Sequence, residues 1–386
     1  MLWYFIVTID VLLFVFVALT IIYMAIYSFA SLFSRHINIP PAKQQNRFII
    51  LIPSYRQDNS IEKTVKSVLG QTYPQRLFDV TVISDHQKEI TNFKLAQYPI
   101  TLLTPNFHSS TKAKSLQLAI NNLPQFKIYD IVIILDAGSI VEPEFLQQMN
   151  DAYETAGTKA IQAHRLSLNR DTSIACLDAT FEEINNSIFR RGHVTLGISA
   201  AICGSGIAYE FRWFKENIKK VSTGWEDKEM EALLMRQQIY IDYFDNIYVY
   251  DEKTRRMGDF NRQRSRWAST QLRSILSNIR FLPAALFYKR YDMVDKIIQW
   301  MLMPRMLLMG IIVVMSIIMP FIYMSLAVKW WIAFAVVMLV FAIATPDYLV
   351  NKKWEHAFIK APFIMLASLL NITKIIKTKK KFENRN

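Results

Sequence analysis

The stretch IVIILDAGS, Ile131–Ser139, is an unbroken apolar run that ends in a carboxylate, Asp136. A short apolar run closed by a turn predicts a strand buried on both faces of a sheet. Three upstream runs have the same form and alternate with segments of helical spacing: RFIILIP at 47–53, LFDVTVIS at 77–84 and PITLLT at 99–104. Strands alternating with helices predict a parallel sheet covered by helices on both faces.

Polar groups stand where these runs end: Pro53–Arg56 after the first, Asp85 after the second and Asp136 after the fourth. In an open parallel sheet, ligands bind beyond the carboxyl ends of the strands. One aspartate after a strand is more often a turn former or a helix cap, but three such ends favour a ligand site. His164 and Arg165, which end another predicted strand, favour a structural hydrogen bond over substrate contact.

A long apolar run opens the chain, which has 386 residues and is 52% apolar. Trp3–Phe33 has Asp10 as its one charged residue and exceeds the roughly 20 residues of a membrane-spanning helix. It begins without lysine or arginine and is longer than a signal-peptide core of about 7–15 residues, so it predicts a span. We expect Asp10 near the outer end of this span, at the interface or in a polar contact.

Two more apolar blocks lie near the C-terminus, at Met306–Met324 and Trp330–Thr345. Together they predict a helical hairpin with Lys329 at its tip. Trp330 and Trp331 beside that tip suit the aromatic belt of a membrane interface.

The net charge of +13 is arranged as in a membrane protein, because lysine and arginine are absent before the first span and frequent after it. This predicts a plasma (inner) membrane protein with its N-terminus outside and its central domain in the cytoplasm. The basic tail suits anionic lipid headgroups, and no nucleic-acid motif is present. Two cysteines without metal spacing suit a reducing compartment. The predicted divisions are an N-terminal transmembrane helix (1–34), a cytoplasmic α/β domain (35–280), interfacial amphipathic helices (281–305), the transmembrane hairpin (306–346), and an interfacial or re-entrant helix around 361–372 with a basic tail (347–386).

Seven short pieces occur in one order between residues 47 and 270: IPSYRQ, ISD, STKAKSLQLAI, LDAGS, CGSGIAY, GWEDKE and QRSRW. The last contains a Q-x-x-R-W signature. In this order, and flanked by apolar spans, they resemble the membrane-bound processive glycosyltransferases of family 2, of the cellulose, chitin and hyaluronan synthase type, and more closely the bacterial capsule or exopolysaccharide members. The resemblance implies a GT-A-like (Rossmann-like) mixed sheet with helices on both faces as the catalytic domain. In the first piece, YRQ departs from the more usual Tyr-Asn-Glu.

The implied reaction is an inverting displacement, in which an acceptor hydroxyl attacks the anomeric carbon of a nucleotide-linked sugar. It needs a base for the hydroxyl proton and groups that stabilise the departing diphosphate. The resemblance assigns the base to Asp227 in GWEDKEME, with Glu226 as its rival. Three acids at a helix N-terminus, these two and Glu229, are also favoured by the helix dipole without any chemistry.

Further roles follow from the resemblance, and each suits its side chain. Indole packs on the C–H face of a sugar, and a planar guanidinium donates two bonds to a diphosphate. Glycine lets backbone approach a ligand closely, although a tight turn also uses it. The Q-x-x-R-W segment predicts a helix at the membrane surface. Its polar side chains either face the diphosphate or order the site, or the helix is interfacial without a catalytic role. The implied nucleotide-binding residues are Pro53, Tyr55, Asp85, Lys112, Asp136, Gln263, Arg264 and Arg266. The implied acceptor-binding residues are Gly204, Ser205, Gly206, Glu226 and Trp267.

The metal site that the resemblance implies is incomplete. Asp136 matches the first carboxylate of a D-x-D element and would be a ligand of Mg²⁺ or Mn²⁺. The last carboxylate of that element is usually the direct ligand, and Gly138 stands in its place. Three alternatives are open: water or Ser139 completes a weakened site, an acid such as Glu142 or Glu144 moves in, or arginine and lysine side chains replace the ion.

These observations predict an enzyme that moves a sugar from a UDP-sugar to the hydroxyl end of a growing glycan, most concretely a processive synthase of a β-linked polysaccharide. One alternative is the transfer of a single sugar to a polyprenyl-phosphate lipid. Another is an assembly subunit that keeps the fold but has lost activity. Three spans are few to enclose a secretion path, so we expect self-association or an export partner.

Overall fold

The computed structural model describes residues 1–34, 39–350 and 354–355, without the side chains of residues 2 and 3. A mixed sheet of eight strands forms the centre of the described chain. The strands are β1 (Phe48–Tyr55), β2 (Phe78–Asp85), β3 (Thr101–Leu103), β4 (Ile131–Ile134), β5 (Ile140–Val141), β6 (Ala160–Ser167), β7 (Ile207–Glu210) and β8 (Ile241–Asp251). The α-helices are α1 (Leu2–Ser31), α2 (Ile61–Leu69), α3 (Glu89–Leu95), α4 (Lys112–Asn121), α5 (Phe145–Ala156), α6 (Ser173–Asn186), α7 (His193–Thr195), α8 (Phe211–Asn217), α9 (Glu226–Arg236), α10 (Met257–Asn278), α11 (Leu282–Phe287), α12 (Tyr291–Met301), α13 (Arg305–Ile322) and α14 (Met324–Ala344).

The N-terminal part of the sheet is parallel, as the alternation of strands and helices predicts. The strand order is β3-β2-β1-β4-β7-β6-β8-β5, and the first four strands of this order run in one direction. β7 and β5 are antiparallel to their neighbours, so the sheet is mixed, as the family resemblance implies. The register aligns Tyr55 with Asp85 and Leu51 with Ile134. The carboxyl ends of β1, β2 and β4 therefore share one edge.

Both faces of β1 are buried because its apolar side chains alternate between two cores. Ile49 and Leu51 pack with residues of α4 and α9 in one cluster. Phe48, Ile50 and Ile52 pack with residues of α2 and α5 in the other. Burying one such side chain contributes roughly 1.5–3 kcal/mol. The apolar run thus specifies a strand in the middle of the sheet.

Among the described residues, three helices are long and apolar enough to span a membrane: Tyr4–Ser31 within α1, and the whole of α13 and α14. Their number agrees with the prediction, but the turn of the hairpin does not. α13 ends at Ile322 and α14 begins at Met324, so the tip lies at Tyr323 rather than at Lys329. The helix predicted around 361–372 lies outside the described residues.

Lys329 lies within α14 because α1 supplies its partner. The ammonium of Lys329 pairs with the carboxylate of Asp10, which is 1% exposed. Trp330 is fully buried and donates from Nε1 to Asp10 Oδ1 at 2.8 Å, so its indole faces the protein, and its place in an aromatic belt stays a prediction. We expected Asp10 either at the membrane interface or in a polar contact, and the structure has the polar contact.

The C-terminal half of α1 is joined to the α/β domain by a buried polar cluster. Tyr23 and Tyr27 donate to Asp295 Oδ1 of α12 at 2.9 and 2.5 Å. The ring of Tyr27 stacks on His193 at a centroid distance of 3.7 Å, and His193 Nε2 lies 3.1 Å from Asp295 Oδ2. These contacts fix α1 against the domain.

Gly192, in the π-helical turn Ser187–Gly192, allows α1 to approach, because a Cβ here would lie 2.1 Å from the carbonyl oxygen of Tyr27. Backbone must therefore shift in Gly192→Ala. We expect this variant to lose about 1–3 kcal/mol of folding free energy, seen as a lower melting temperature in detergent. The control is Gly258→Ala, since no atom lies within 4 Å of a Cβ there. Equal melting temperatures for the two variants would contradict the close approach.

Candidate active site

The carboxyl ends of β1 and β2 border a cavity of about 400 Å³, lined in part by Arg56, Ser84 and His86. Asp85 lies between Ser84 and His86 in sequence, and its Oδ1 is 2.6 Å from His86 Nδ1. Asp85 Oδ2 is buried without a hydrogen-bond partner among the described residues. The ring of Tyr55 is half-exposed, 5.7 Å from that of His86. A buried acceptor without a donor is costly, which suits a site that a ligand N–H completes.

A lysine joins three elements beyond the end of β4. Lys112 Nζ donates to Asp136 Oδ1 and to the carbonyl oxygen of Gly204, both at 2.5 Å, and lies 3.3 Å from Glu226 Oε1. Burial lowers the pKa of Lys112, but the nearby carboxylates outweigh this effect and hold the pKa above its usual value. Lys112 is therefore a fixed positive charge. Pro53, half-buried in β1, lies at the same edge of the sheet.

The start of α4 aims Lys112 at this edge. Thr111 caps the helix, with its Oγ1 accepting from the backbone N–H of Lys114 at 3.3 Å. Ala113 and Leu116 are buried in the core beneath β1, which orients the first turn. Lys114 is exposed and bonds Ser109, so it lies on the solvated face of the helix.

The acidic motif begins α9, as predicted, and its first two acids differ in burial and in their partners. Glu226 is buried beside Lys112, and burial raises its pKa to about 7, with the charge of Lys112 opposing and that of Asp227 adding to the rise. Asp227 is partly exposed, and Oδ1 accepts from the backbone N–H of Lys228 at 2.8 Å. Glu229 bonds Thr223 and so closes the preceding turn. Glu226 is thus committed to the lysine, while Asp227 is open to a ligand.

The CGSGIAY segment differs from its prediction, since only Gly204 reaches the cluster around Lys112. Ser205 is fully buried, and its Oγ accepts from the backbone N–H of Asp136 at 3.1 Å, so its hydroxyl points into the protein. Gly206 has φ +71°, and a Cβ there would lie 2.7 Å from Val249. Ser205 and Gly206 therefore support the strand ends and do not face an acceptor.

The Q-x-x-R-W segment lies on α10, as predicted. Arg264 donates to Asp178 at 2.5 Å and its guanidinium lies 4.4 Å from the ring of Trp267, so it orders the site rather than facing a diphosphate. Arg266 is exposed, with its guanidinium 5.6 Å from the ring of Trp225, next to Glu226. Gln263 Oε1 is buried without a partner in the described chain. The indole of Trp267 is 37% exposed.

The described side chains do not fit a divalent-cation site. Mg²⁺ and Mn²⁺ take several oxygen ligands, among them carboxylates. No group of three histidine, cysteine, aspartate or glutamate side chains that could hold a metal occurs in the described ranges. Asp136, the implied ligand, is paired with Lys112.

The acids and the hydroxyl considered as further metal ligands are engaged elsewhere or exposed. Ser139 is 1% exposed, and its Oγ bonds both Asp251 and Ser205. Glu142 accepts from the hydroxyl of Tyr250 at 2.6 Å. Glu144 is exposed directly before α5. Of the three alternatives left open by the sequence, these contacts favour a side chain in place of the ion.

Sequence reasoning missed the polar support beneath the site. Asp251, at the end of β8, bonds Ser139 and pairs with Arg165, which confirms the structural role expected for Arg165. His164 likewise contacts Glu183, 3.0 Å from Nε2. The one local signal was the carboxylate that ends the β8 run YVYD, the same pattern that marked Asp85 and Asp136.

Comparison with known proteins adds the family. Residues 45–270 match the family model described as glycosyltransferase like family 2. The chain is similar to the mannosyltransferase PcManGT from Pyrobaculum calidifontis in complex with GDP-Man and Mn²⁺, with a TM-score of 0.53 and 11% identity over 92% of this chain and 98% of that one. It is also similar to residues 1–349 of S. aureus TarS in complex with UDP-GlcNAc, with a TM-score of 0.43 and 13% identity over 85% and 92% of the two chains. A search of curated protein sequences finds no match. Because the matched residues make up more than half of its length, the chain belongs to glycosyltransferase-like family 2 and is a glycosyltransferase.

Proposed function

We propose that the chain transfers a sugar from a UDP-sugar to the hydroxyl end of a growing glycan, as an inverting, processive synthase of a β-linked polysaccharide. The observation that carries the proposal is the ammonium of Lys112 among Asp136, Gly204 and Glu226, with Asp227 next in the chain. A fixed cation beside an open carboxylate meets both demands of the reaction: stabilisation of the leaving diphosphate and removal of the hydroxyl proton.

The donor would lie along the carboxyl edge of the sheet. Its uracil ring would enter the cavity lined by Arg56 and His86, which follow Tyr55 and Asp85 in the chain, and its diphosphate would reach Lys112. The acceptor hydroxyl then attacks the anomeric carbon, Asp227 takes the hydroxyl proton, and the bond to the diphosphate oxygen breaks with its electron pair on that oxygen. Arg266, exposed beside Trp225, adds positive charge on the same side.

Trp267 supports a glycan acceptor over a lipid phosphate. Its ring is partly exposed and held by the guanidinium of Arg264, which is itself fixed by Asp178. A rigid, partly exposed indole offers a sugar ring an apolar face, which a polyprenyl phosphate does not need. We therefore place the acceptor end of the glycan against Trp267.

The enzyme would act at the plasma membrane with its α/β domain in the cytoplasm. The three helices of the described ranges that are long enough to span a membrane support this location, and the basic C-terminal tail supports contact with anionic headgroups. Export of a polymer would need self-association or a partner.

Radiolabelled UDP-sugars incubated with membranes that contain the chain test the proposal. Formation of a polymer is the expected result. A lipid-linked monosaccharide would identify the single-sugar transferase instead, and the absence of any labelled product across the sugars would favour an assembly subunit. Membranes that carry Asp227→Asn are the control for background synthesis.

Donor affinity should depend on pH through Glu226. Its pKa is raised to about 7 by burial, so its carboxyl is mostly neutral below pH 7 and ionised above. The ionised form competes for Lys112 and repels a diphosphate. We expect UDP-sugar affinity to fall roughly tenfold as pH rises through 7. The reason is that a neighbouring negative charge costs the bound diphosphate about as much free energy as one pKa unit, which is a factor of about ten in affinity. Titration calorimetry at several pH values measures it.

Glu226→Gln should remove this pH dependence, since an amide does not ionise. Glu229→Gln is the matched control, because Glu229 lies in the same helical turn but bonds Thr223. A pH dependence that survives Glu226→Gln, or that vanishes in Glu229→Gln, would refute the assignment.

A further inference from the structure

We propose that Lys112 takes the place of the divalent cation, so that the donor diphosphate binds and departs without a metal ion. The inference rests on the proposed function and adds to it how the leaving group is held. It also resolves why the chain has Gly138 where a second carboxylate is usual.

The oxygens around Lys112 are of the kind that Mg²⁺ and Mn²⁺ bind, and the ammonium nitrogen lies between them. They come from Asp136 beyond β4, from the Gly204 carbonyl before β7 and from Glu226 at the start of α9. Carboxylate and carbonyl oxygens are ligands of hard cations. A metal ion could not share this point with the ammonium, because two cations would repel each other at contact distance.

Gly204 leaves open the space beside its backbone that the end of Lys112 occupies. A Cβ at this position would lie 2.9 Å from Lys112 Nζ, which is closer than carbon and nitrogen atoms pack. Glycine therefore leaves the space that the ammonium fills. The capped first turn of α4 holds the lysine from the other side.

The backbone conformation of Gly138 disfavours the second carboxylate. Its φ is +119°, a conformation that residues with a side chain rarely adopt. Its N–H donates to Thr64 Oγ1 of α2 at 2.8 Å, which fixes the turn. An aspartate here would strain the turn before it reached a ligand.

The chemistry balances without a metal. The bond between the anomeric carbon and the diphosphate oxygen breaks with its electron pair on that oxygen. The positive charge of Lys112 stabilises the new charge, and the N–H that faces Glu226 donates to the oxygen when the Glu226 carboxyl is neutral. Lys112 keeps its protons, since its pKa lies above the usual value. The proton of the acceptor hydroxyl goes to Asp227.

Nucleotide binding by the full-length chain in detergent tests the inference. After treatment with EDTA, UDP and GDP are titrated by calorimetry with EDTA present and again with Mn²⁺. We expect one nucleotide to bind with the same affinity, within about threefold, in both buffers. A gain of more than about tenfold with Mn²⁺ would overturn the inference while leaving the proposed function intact. No binding of either nucleotide in either buffer would overturn both.

Variants of the two lysines at the start of α4 test which positive charge binds the diphosphate. Lys112→Met should weaken binding in EDTA about 10- to 100-fold, because it removes charge-assisted hydrogen bonds. Lys114→Met, two residues on and exposed, should bind like the unaltered chain. Electron paramagnetic resonance provides a readout that does not depend on folding of a variant: Mn²⁺ bound by the unaltered chain in proportion to added nucleotide would refute the inference.

Discussion

Asp227→Asn is expected to lower the rate of sugar transfer by about 10²–10⁴-fold, because the amide cannot take the proton of the acceptor hydroxyl. The side chain keeps its size, and its Oδ1 can still accept from the backbone N–H of Lys228. Donor binding should be retained, since Asp227 makes no hydrogen bond or ion pair with Lys112, although its pH dependence should shift because the charge of Asp227 raises the pKa of Glu226. The measurement is polymer synthesis from a radiolabelled UDP-sugar together with UDP binding by calorimetry.

Two companion variants make the assignment specific. Glu229→Gln, in the same turn of α9, should retain transfer, because Glu229 serves the backbone N–H of Ser222 and the hydroxyl of Thr223. Glu226→Gln should change the pH dependence of donor binding more than the maximal rate. If Asp227→Asn kept most of its transfer while Glu226→Gln lost it, the base would be Glu226.

Much of the fold could be predicted from local patterns. The runs that end at Tyr55, Asp85 and Asp136 are buried from both faces, so their composition alone distinguished them from amphipathic helices. Because parallel strands end at one edge, the polar groups after them could be expected to meet. The two antiparallel strands and the order β7-β6-β8 depend on pairing between distant segments, which no local pattern encodes.

The site was predictable in its residues but not in its contacts. Lys112 and Asp136 were singled out, yet their ion pair depends on how α4 packs over β4. Ser205 and Gly206 have the composition of a ligand loop, and only the position of Val249 and the burial of Ser205 show that they support the strands. Motifs name residue types, whereas packing decides which way a side chain faces.

The membrane part shows the same limit. Hydropathy treats Lys329 as a break between two apolar blocks, because a lone charge is costly in a bilayer. Its partner, Asp10, lies 319 residues away in sequence, on α1. Once paired, the lysine is tolerated inside α14, and the turn of the hairpin moves to Tyr323.

Lys329→Met is expected to destabilise the folded chain by roughly 3–5 kcal/mol, because it leaves Asp10 buried among apolar side chains without its cation. The carboxylate would then either remain charged in apolar surroundings or take up a proton, and each outcome costs free energy. The donor bond from Trp330 Nε1 to Asp10 Oδ1 satisfies one oxygen but supplies no net charge. The measurement is the melting temperature in detergent, with the unaltered chain alongside.

The double variant Asp10→Asn, Lys329→Met separates the effect of breaking the ion pair from the effect of losing the lysine side chain. Asparagine keeps an oxygen that accepts from Trp330, and it removes the charge that Lys329 balances. We therefore expect the double variant to melt above Lys329→Met, although each substitution alone lowers stability. If the double variant were less stable than Lys329→Met by the full effect of Asp10→Asn, the two side chains would act independently. Such additivity would show that α1 and α14 are held together by their apolar surfaces and not by this ion pair.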